Sequence, residues 1–549
     1  MPAVSLAESP AEPLSAAAQC EFDPAEQAVL DRYFTNLDRG VFALRNLPEV
    51  VKGALFSRYS RTEKSLRRVL LEEFLREPEF GLDNLIGEPT EDDKVATLRA
   101  EEFYERVLVG YGDDSVAELA GAHLAVERVS TLAAKALQDS RIGISPLEKS
   151  TRYVRFDRPG PDGRYEYYRS PELSHRVYEL AADHLFDTFS ELLETVLNRV
   201  RDGFPLDPGE TERAWKSATR AKALDILRGL LPASTLTNLG LYGNGRAFEY
   251  LITKMAGQEL PECRRLAGEM HAELSQVIPS FVRRAIDDKY GRPAAVRIRS
   301  QSEQLRLLAP EGADRGAGTT VRLVDYDVDA ERKVVAAALF PHSALPLAEL
   351  QETWVDPAPV LDAILGERTN RRQRAPRALE HAQYTFEVVA NFAAYRDLQR
   401  HRMLTQDRQL LGCSLGYDVP HQIIEMGLEE RYRVAMEAAG AAWQLIAAES
   451  GPVLAQYIVP LGYRVRWYFR ASLREIYHLC ELRTTPQGHP DYRYVAQQMF
   501  RRVYEVHPRL AQYARFVDLG PGDELERRAS ERRIDAKLKA LDSQGSAIG

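Results

Sequence analysis

The sequence predicts a mixed fold in two tandem parts, in which helices dominate and β-rich segments lie between them. Its 549 residues exceed the size of one ordinary domain, so two or three are expected. Over long stretches apolar residues recur at a spacing of three and four, which indicates amphipathic helices. The same order of elements recurs on both sides of residues 291–319. This recurrence predicts an internal duplication into tandem domains.

The expected boundaries follow from shifts in composition. The N-terminal segment is rich in Ala, Pro, Ser and Glu and has no periodicity, which is typical of disorder. Gly, Pro and Ala increase again near the middle of the chain, as in a linker. We therefore expect a disordered tail over 1–30, a first domain over 31–290, a linker over 291–319, a second domain over 320–520 and a charged tail over 521–549.

Composition excludes several classes of function. The net charge is −9, from 72 basic and 81 acidic residues, which is not the balance of a nucleic-acid-binding protein. The four cysteines show neither CxxC nor zinc-like spacing, so a reducing cytoplasm is the expected setting. The N-terminus has no signal-peptide pattern. No apolar run reaches the length of a membrane span, so a membrane is not an expected partner. Because of the net charge, a nucleic acid is not an expected partner either.

The central candidate site is Arg400-His401-Arg402, which follows a helix-like apolar run, YTFEVVANFAAY. Cationic side chains crowded against buried surface repel one another and are costly to desolvate. A flavin or a nucleotide phosphate would relieve that cost. The alternative is a solvated turn held by salt bridges.

A second candidate is the run Glu148-Lys149-Ser150-Thr151-Arg152-Tyr153. A hydroxyl and a guanidinium two residues apart can hold a phosphate together, although the start of a surface hairpin has the same composition. Arg228 and Arg483 lie near predicted helix ends, where single arginines commonly complement the helix dipole. His381 and His401 lack metal-ligand spacing, so we expect no metal site.

These residues resemble the flavin-dependent thymidylate synthases, duplicated in tandem. The family's central motif runs from RHR to a later Ser-x-Arg-Tyr. The first half matches the back of that motif at Ser145, Glu148, Ser150, Arg152 and Tyr153, but Ser140-Arg141-Ile142 stand in place of RHR. The second half keeps RHR at Arg400–Arg402 and loses the back end, where Leu410 replaces the second serine.

The same complementary loss is seen at two other family positions. The family's nucleotide-binding arginine before a Leu-Pro pair is Arg228 in the first half but Gln456 in the second. Its late arginine, which contacts the pyrimidine, is Arg483 in the second half but Met255 in the first. The resemblance covers about residues 33–290 and 320–515.

The resemblance implies an α+β fold in which long helices pack on a mostly antiparallel sheet in each half. It also implies conversion of dUMP to dTMP with FAD, NADPH and methylenetetrahydrofolate, in a homodimer that contains four family units. One composite site per chain is expected, with Arg483 as its catalytic residue. The implied substrate-binding residues are Glu148, Ser150, Thr151, Arg152, Arg228, Arg400 and Arg483. The implied flavin-binding residues are Ser115, Asn244, Arg246, Arg400, His401, Arg402, Arg474 and His478.

Two other functions remain open at this stage. The chain can be a non-catalytic descendant that binds a nucleotide or a flavin, or serves as a scaffold. It can also be a flavoenzyme that acts on another pyrimidine, because fold and motif do not fix function.

Overall fold

The computed structural model describes residues 22–75, except 39–40, 48 and 60–61, and residues 118–545, except 174, 311 and 313–317. It packs into two compact units. The first unit comprises residues 1–125, 140–147 and 240–309, and the second comprises residues 126–139, 148–239 and 310–549. These units do not follow the expected domains, whose boundaries therefore stay a prediction.

The first half of the chain alternates strands with helices. Its elements are α1 (Pro24–Leu30), α2 (Glu49–Tyr59), α3 (Leu66–Val69) with a π-helical turn (Leu70–Leu75), β1 (Gly121–Ser130), α4 (Thr131–Gln138), β2 (Ile144–Glu148), α5 (Arg176–Gly203), α6 (Glu212–Leu227), β3 (Leu236–Asn244), α7 (Gly245–Ala256), α8 (Pro261–Leu274), α9 (Pro279–Val282) and α10 (Gly291–Leu308). Short 3₁₀ helices occupy Pro171–Leu173, Arg228–Leu230 and Arg283–Ala285.

Among the described residues, the second half repeats this order of elements and has one strand and several short helices more than the first. Its elements are β4 (Thr320–Tyr326), α11 (Ala330–Leu339), α12 (Leu347–Glu352), α13 (Pro357–Leu365), β5 (Gln383–Asn391), α14 (Phe392–Leu398), β6 (Thr405–Arg408), α15 (His421–Glu425), α16 (Glu429–Ser450), α17 (Pro452–Ala455), β7 (Arg464–Ser472), α18 (Leu473–Arg483), α19 (Pro490–Val506), α20 (Pro508–Ala511) and α21 (Arg528–Gly545). Short 3₁₀ helices occupy Phe340–His342, Arg377–His381 and Gln456–Ile458.

The strands form two sheets, ordered β1–β3–β2 and β4–β5–β7–β6. The four-stranded sheet is antiparallel throughout, and its β5–β7 register runs from Gln383 opposite Ser472 to Asn391 opposite Arg464. The predicted α+β fold, with long helices and antiparallel sheet, is confirmed.

Corresponding elements of the two halves confirm the predicted duplication. The order β1–β3–β2 in the first sheet matches β5–β7–β6 in the second. A polar N-cap follows the equivalent strand in each half: the Ser130 side chain accepts from Ala133 N, and the Asn391 side chain accepts from Ala394 N. Such caps satisfy amide groups that the first helical turn leaves without a partner.

Within the second compact unit, the two Xaa-Pro segments pair with each other. Pro232 and Pro460 form an antiparallel bridge. On either side, Leu461 N donates to Leu231 O over 2.8 Å and Ala233 N donates to Val459 O over 2.9 Å. This reciprocal pattern is the one expected when two copies of a segment meet across a pseudo-twofold axis.

Several local expectations were wrong. The helix-like run before the basic triplet is strand β5 followed by α14, because alternate side chains face the core: Tyr384, Phe386 and Val388 are fully buried. The run from Glu148 to Tyr153, for which the start of a surface hairpin was the alternative, instead ends strand β2 (Ile144–Glu148) and continues in turns.

The expected tails and linker also contain regular structure. Residues 24–30 of the expected disordered tail form α1, in which Asp23 provides a capping box; residues 1–21 lie outside the described part. Residues 291–308 of the expected linker form α10. In the charged tail, α21 packs by ion pairs, with Arg528 bound to Glu210 at 2.8 Å. Among the residues with described structure, no helix has the length and apolarity needed to cross a membrane.

A substitution in the contact between the two Xaa-Pro segments tests how tightly it is packed. A Cβ on Gly229 would overlap the hydroxyl oxygen of the buried Tyr432, while the Gly229 carbonyl accepts from Gly462 N. We expect Gly229→Ala to lower the free energy of unfolding by about 1–3 kcal/mol.

The matched control is Gly268→Ala on α8, where an added Cβ meets no atom within 4 Å. We expect it to stabilise the helix by about 0.5–1 kcal/mol. Thermal unfolding of both variants checks the prediction. Equal melting of Gly229→Ala and the wild type would contradict it.

Candidate active site

A buried carboxylate, that of Glu148, joins side chains from both halves of the sequence. Its Oε2 accepts from Lys135 Nζ at 2.5 Å, from Gln138 Nε2 at 2.9 Å and from Arg400 Nη2 at 3.1 Å. Its Oε1 accepts from Arg396 Nη2 at 3.0 Å. The Glu148 side chain is only 1% exposed. The first-half motif and the RHR motif therefore meet within one chain, inside the second compact unit.

The electrostatics of this cluster follow from three cations around one anion. Burial opposes ionisation of Glu148, but Lys135, Arg396 and Arg400 outweigh it and hold its pKa well below the usual range. Burial also lowers the pKa of Lys135 to about 7, and the two arginines act in the same direction against Glu148. Three cations around one carboxylate leave two positive charges in excess, and lysine is the cation that can lose its proton.

A second carboxylate, Asp397, lies where four arginines converge. Burial alone would raise the pKa of Asp397, but Arg228, Arg400, Arg483 and Arg152 lower it to about 2. Arg228 contacts Asp397 directly: its Nη1 lies 3.5 Å from Asp397 Oδ2. Two of the four arginines come from the first half of the chain and two from the second, as the composite-site hypothesis requires.

Two of these arginines keep buried nitrogens without a partner among the described residues. Arg152 Nε pairs with Asp225 Oδ2 at 2.8 Å, but its Nη2 has no hydrogen bond. Arg228 is 5% exposed, and both its Nε and its Nη2 lack a partner. The Nε and Nη2 of a guanidinium form the edge that grips two oxygens of a phosphate or carboxylate. The arrangement is therefore suited to an anionic ligand.

The histidine of the RHR motif is held by α18. His401 Nδ1 lies 2.8 Å from Glu475 Oε1, and Arg483 Nε donates to His401 Nε2 at 3.0 Å. The rings of His401 and His478 lie 5.4 Å apart at 62°. This helix thus brings three of its side chains to one imidazole, which is 5% exposed.

Two cavities flank these clusters. The larger, of about 1100 Å³, is lined by five of the predicted flavin-binding residues, Arg400, His401, Arg402, Arg474 and His478, together with Arg483. Arg368, Arg371, Arg374 and Arg470 add further cationic lining. The smaller cavity, of about 620 Å³, is lined by Arg228, Asp225, Asn391, His489 and Asp491 among others.

Other predicted site residues lie elsewhere. Ser150 Oγ accepts from Arg152 N at 3.3 Å, and Thr151 is half-buried in the same turn. In the other compact unit, Asn244 caps α7, and Arg246 pairs with Glu118 at 2.8 Å. Ser115 lies outside the described residues. The assigned role of each of these residues stays a prediction.

A metal at the RHR histidine would need atoms that are already engaged. Donor atoms of His401, Glu475 and His478 lie within 4.8 Å of one another. However, both ring nitrogens of His401 contact other side chains, one of them a guanidinium. A cation nearby disfavours a divalent ion, so this geometry suits a hydrogen-bonded chain better than a metal centre.

Five charged residues that contact the predicted ones were not themselves predicted: Lys135, Asp225, Arg396, Asp397 and Glu475. A signal was present for some of them. Lys135 is a lone cation in an apolar helix, and Arg396 lies four residues before Arg400, the spacing at which side chains on a helix are neighbours. Nothing in the sequence alone marks Asp225 or Glu475, because their partners are distant in sequence.

With this geometry established, comparison with known proteins defines the class. The model of the thymidylate synthase complementing protein family matches residues 68–280 and 322–509. The chain belongs to this family and contains two family domains in tandem.

Two curated relatives match this chain over nearly their whole length, and a third matches part of it. A UPF0159 protein of Chlamydia muridarum is 44% identical over 94% of this chain and 99% of its own length. A UPF0159 protein of Thermoplasma acidophilum is 34% identical over 89% and 99% of the two chains. The flavin-dependent thymidylate synthase of Sulfolobus acidocaldarius is 25% identical over 35% of this chain and 76% of its own.

Among solved structures, a UMP/dUMP methylase PolB of Streptomyces cacaoi, bound with 5-Br dUMP, matches 36% of this chain and 94% of its own. The identity is 19% and the TM-score is 0.30.

The buried lysine gives a pH-dependent prediction. Burial lowers the pKa of Lys135 in the folded protein from its ordinary value of 10.5 to about 7. Between pH 7 and pH 10.5, Lys135 is therefore mostly neutral when folded and takes up a proton when the protein unfolds. The contribution of Lys135 to stability is therefore lowest below pH 7 and rises as the pH increases, by at most about 1.4 kcal/mol per pH unit.

We expect the wild type to gain stability relative to Lys135→Met between pH 7 and pH 9.5. Thermal unfolding of both proteins across this range measures the difference. The exposed Lys537→Met is the control for loss of one positive charge, and it should follow the wild-type curve. A constant difference between wild type and Lys135→Met would refute the shift.

Proposed function

We propose that this protein is a flavin-dependent thymidylate synthase with one composite active site per chain. It methylates dUMP to dTMP and uses FAD, NADPH and methylenetetrahydrofolate. The proposal is carried by contacts around two carboxylates: Arg152 and Arg228 reach Asp225 at 2.8 and 3.9 Å, and Arg228 reaches Asp397 at 3.5 Å. The pKa of Asp397 is lowered by the same two arginines together with Arg400 and Arg483. These are the residues that each half retains where the other has lost them.

Charge balance supports a nucleotide monophosphate as the ligand. Six cations, Lys135, Arg152, Arg228, Arg396, Arg400 and Arg483, lie among three carboxylates, Glu148, Asp225 and Asp397. Asp491, which interacts with Arg228, and Glu475, which reaches Arg483 through His401, reduce this positive excess. A phosphate monoester carries about −1.5 to −2 at pH 7 and would complement the positive charge that remains.

The unsatisfied guanidinium edges support a position for the phosphate. Arg228 presents Nε and Nη2, and Arg152 presents Nη2, all buried and without partners among the described residues. Bidentate contact with phosphate oxygens would satisfy these groups. The orientation of the nucleotide then follows, with its phosphate at Arg228 and Arg152 and its base towards Arg483.

The larger cavity fits a flavin dinucleotide. Its lining of arginines suits a pyrophosphate, and Arg400, His401, Arg402, Arg474 and His478 all face it. We assign the flavin to this cavity. When bound, reduced flavin supplies the hydride that adds to C6 of the uracil.

Arg483 performs the central electrostatic step in this proposal. Addition at C6 develops negative charge on the N3/O4 region of the uracil, and a guanidinium held out of water stabilises that charge. Burial lowers the pKa of Arg483, yet arginine stays protonated at neutral pH. Neither Cys413 nor Cys480 is needed as a nucleophile, and burial raises the pKa of both thiols.

One alternative is favoured by a specific feature of the sequence. The first half lacks RHR, with Ser140-Arg141-Ile142 in its place, so a non-catalytic descendant that binds only nucleotide or flavin is the second candidate. Visible flavin absorbance of the purified protein, with and without added FAD, separates flavin binders from scaffolds. Tritium release from labelled dUMP separates a synthase from a binding protein.

We also propose that the protein is a cytoplasmic homodimer, and its mass in solution tests the oligomeric state.

Substitution of the converging arginines tests the composite site. We expect Arg228→Ala and Arg483→Ala each to weaken dUMP binding by about tenfold to a hundredfold, because each removes a charged hydrogen bond. Isothermal titration calorimetry with dUMP measures the effect.

The controls lie at the equivalent positions of the opposite half. Met255→Leu and Gln456→Ala should leave dUMP affinity unchanged, since neither wild-type side chain carries a charge. Loss of binding in these two variants, with retention in the arginine variants, would reverse the assignment of the site.

A further inference from the structure

Glu475 has no role in the proposed function so far, yet it contacts the RHR histidine directly. It is the third residue of α18, whose N-cap Ser472 accepts from Glu475 N at 3.4 Å. Its Oε1 lies 2.8 Å from His401 Nδ1, and Glu475 itself is 8% exposed. At the other end of the same helix, Arg483 contacts the opposite side of that imidazole.

The hydrogen bonds assign the tautomer of His401. Arg483 Nε carries a hydrogen and can only donate, so His401 Nε2 must be the acceptor at 3.0 Å. The ring proton then lies on Nδ1, from which it is donated to the Glu475 carboxylate. The chain runs from carboxylate to imidazole to guanidinium, and it keeps the imidazole neutral.

We propose that Glu475 is a positioning residue that acts through His401 to fix the guanidinium of Arg483. This inference rests on the proposed function, in which Arg483 stabilises charge on the pyrimidine. The carboxylate orients the ring, and the ring holds Arg483 Nε.

Other contacts restrict Arg483 from the remaining sides. Its guanidinium carbon lies 5.5 Å from the centroid of the Tyr492 ring, within the range of a cation–π contact. Asp397 attracts Arg483, and Arg400 repels it. Because the side chain is mostly buried, loss of the Nε contact leaves a desolvated donor without a partner. The His401 contact therefore matters to where the guanidinium points.

A purely structural role for Glu475 is the competing explanation. His401 lies between α14 and β6, followed by the exposed Arg402 and Met403, so the Glu475 contact also anchors this loop. A structural anchor would affect folding, flavin binding and nucleotide binding together. A positioning residue affects turnover while binding persists.

The first test is Glu475→Gln, which keeps the size of the side chain and removes its charge. We expect kcat for dTMP formation to fall about tenfold to a hundredfold, with the dUMP dissociation constant within about threefold of wild type and flavin binding retained. The matched control is Glu449→Gln. Glu449 also pairs with a histidine, His175, at 3.2 Å, but on an exposed surface.

The second measurement uses the wild-type protein, in which Glu475 is intact. Ring-¹⁵N histidine spectra of the full-length wild type report the tautomer of each imidazole, and the signal lost in His401→Gln identifies His401. We expect the Nδ1–H form. An Nε2–H form, or a kcat for Glu475→Gln within twofold of wild type, would overturn the proposal. So would a parallel loss of kcat, dUMP affinity and flavin.

The outcomes separate this inference from the proposed function. If the wild type neither binds dUMP nor forms dTMP, the proposed function fails, whatever the tautomer of His401. If the wild type is active and Glu475→Gln equals it, the positioning role alone fails.

Discussion

The buried carboxylate of Glu148 is the interaction on which the site depends. It accepts from Lys135, Arg396 and Arg400 and is almost completely withdrawn from solvent. Moving an ion into a protein interior costs several kcal/mol, and such a cluster is stable only when each charge has good partners. Removal of the central carboxylate would leave three cations facing one another. Glu148 therefore acts on a ligand chiefly by holding Arg400 in place, since its own oxygens are occupied.

Duplication explains why such a site can be asymmetric. In a symmetric oligomer of single units every active site has the same residues, so a loss in one is a loss in all. In a tandem chain the two copies differ in sequence, and each can lose contacts that the other provides. The paired Pro232 and Pro460 segments show the pseudo-symmetric contact that survives. Around it, Arg228 corresponds to Gln456, whose side chain now accepts from Leu411 N at 3.0 Å as an ordinary buried amide.

The sequence was a better guide to the candidate site residues than to the local conformation of the chain. The RHR triplet, Arg228 and Arg483 could be assigned because a family motif carries them. Strand β5 was missed because its apolar residues are dense enough to fit a helical spacing as well as an alternating one. The helix α10 was missed because Gly291 and Pro293 suggested a linker, whereas proline is compatible with a first helical turn.

The unpredicted site residues share a physical reason. Asp397 and Glu475 act through partners that are far away in sequence, such as Arg228 for the first and His401 for the second. No local pattern encodes such a contact, because it depends on how strands and helices pack. Lys135 is an exception: a single cation in the run TLAAKALQ has to find a buried partner. A lysine of this kind is a signal that sequence reasoning can use.

The unsatisfied arginine nitrogens are best understood as a cost that the fold retains for binding. A buried donor without a partner costs about 1–3 kcal/mol, more when it is charged. Arg228 has two such nitrogens and Arg152 has one, among the residues described. Asp225 and Asp397 reduce the repulsion between the arginines, but they leave a net positive charge and leave these three donors unused. A ligand that presents several oxygens and about two negative charges would correct both deficits at once. A neutral ligand could accept from these donors but would leave the positive charge uncompensated, so the electrostatics of the site favour an anionic ligand.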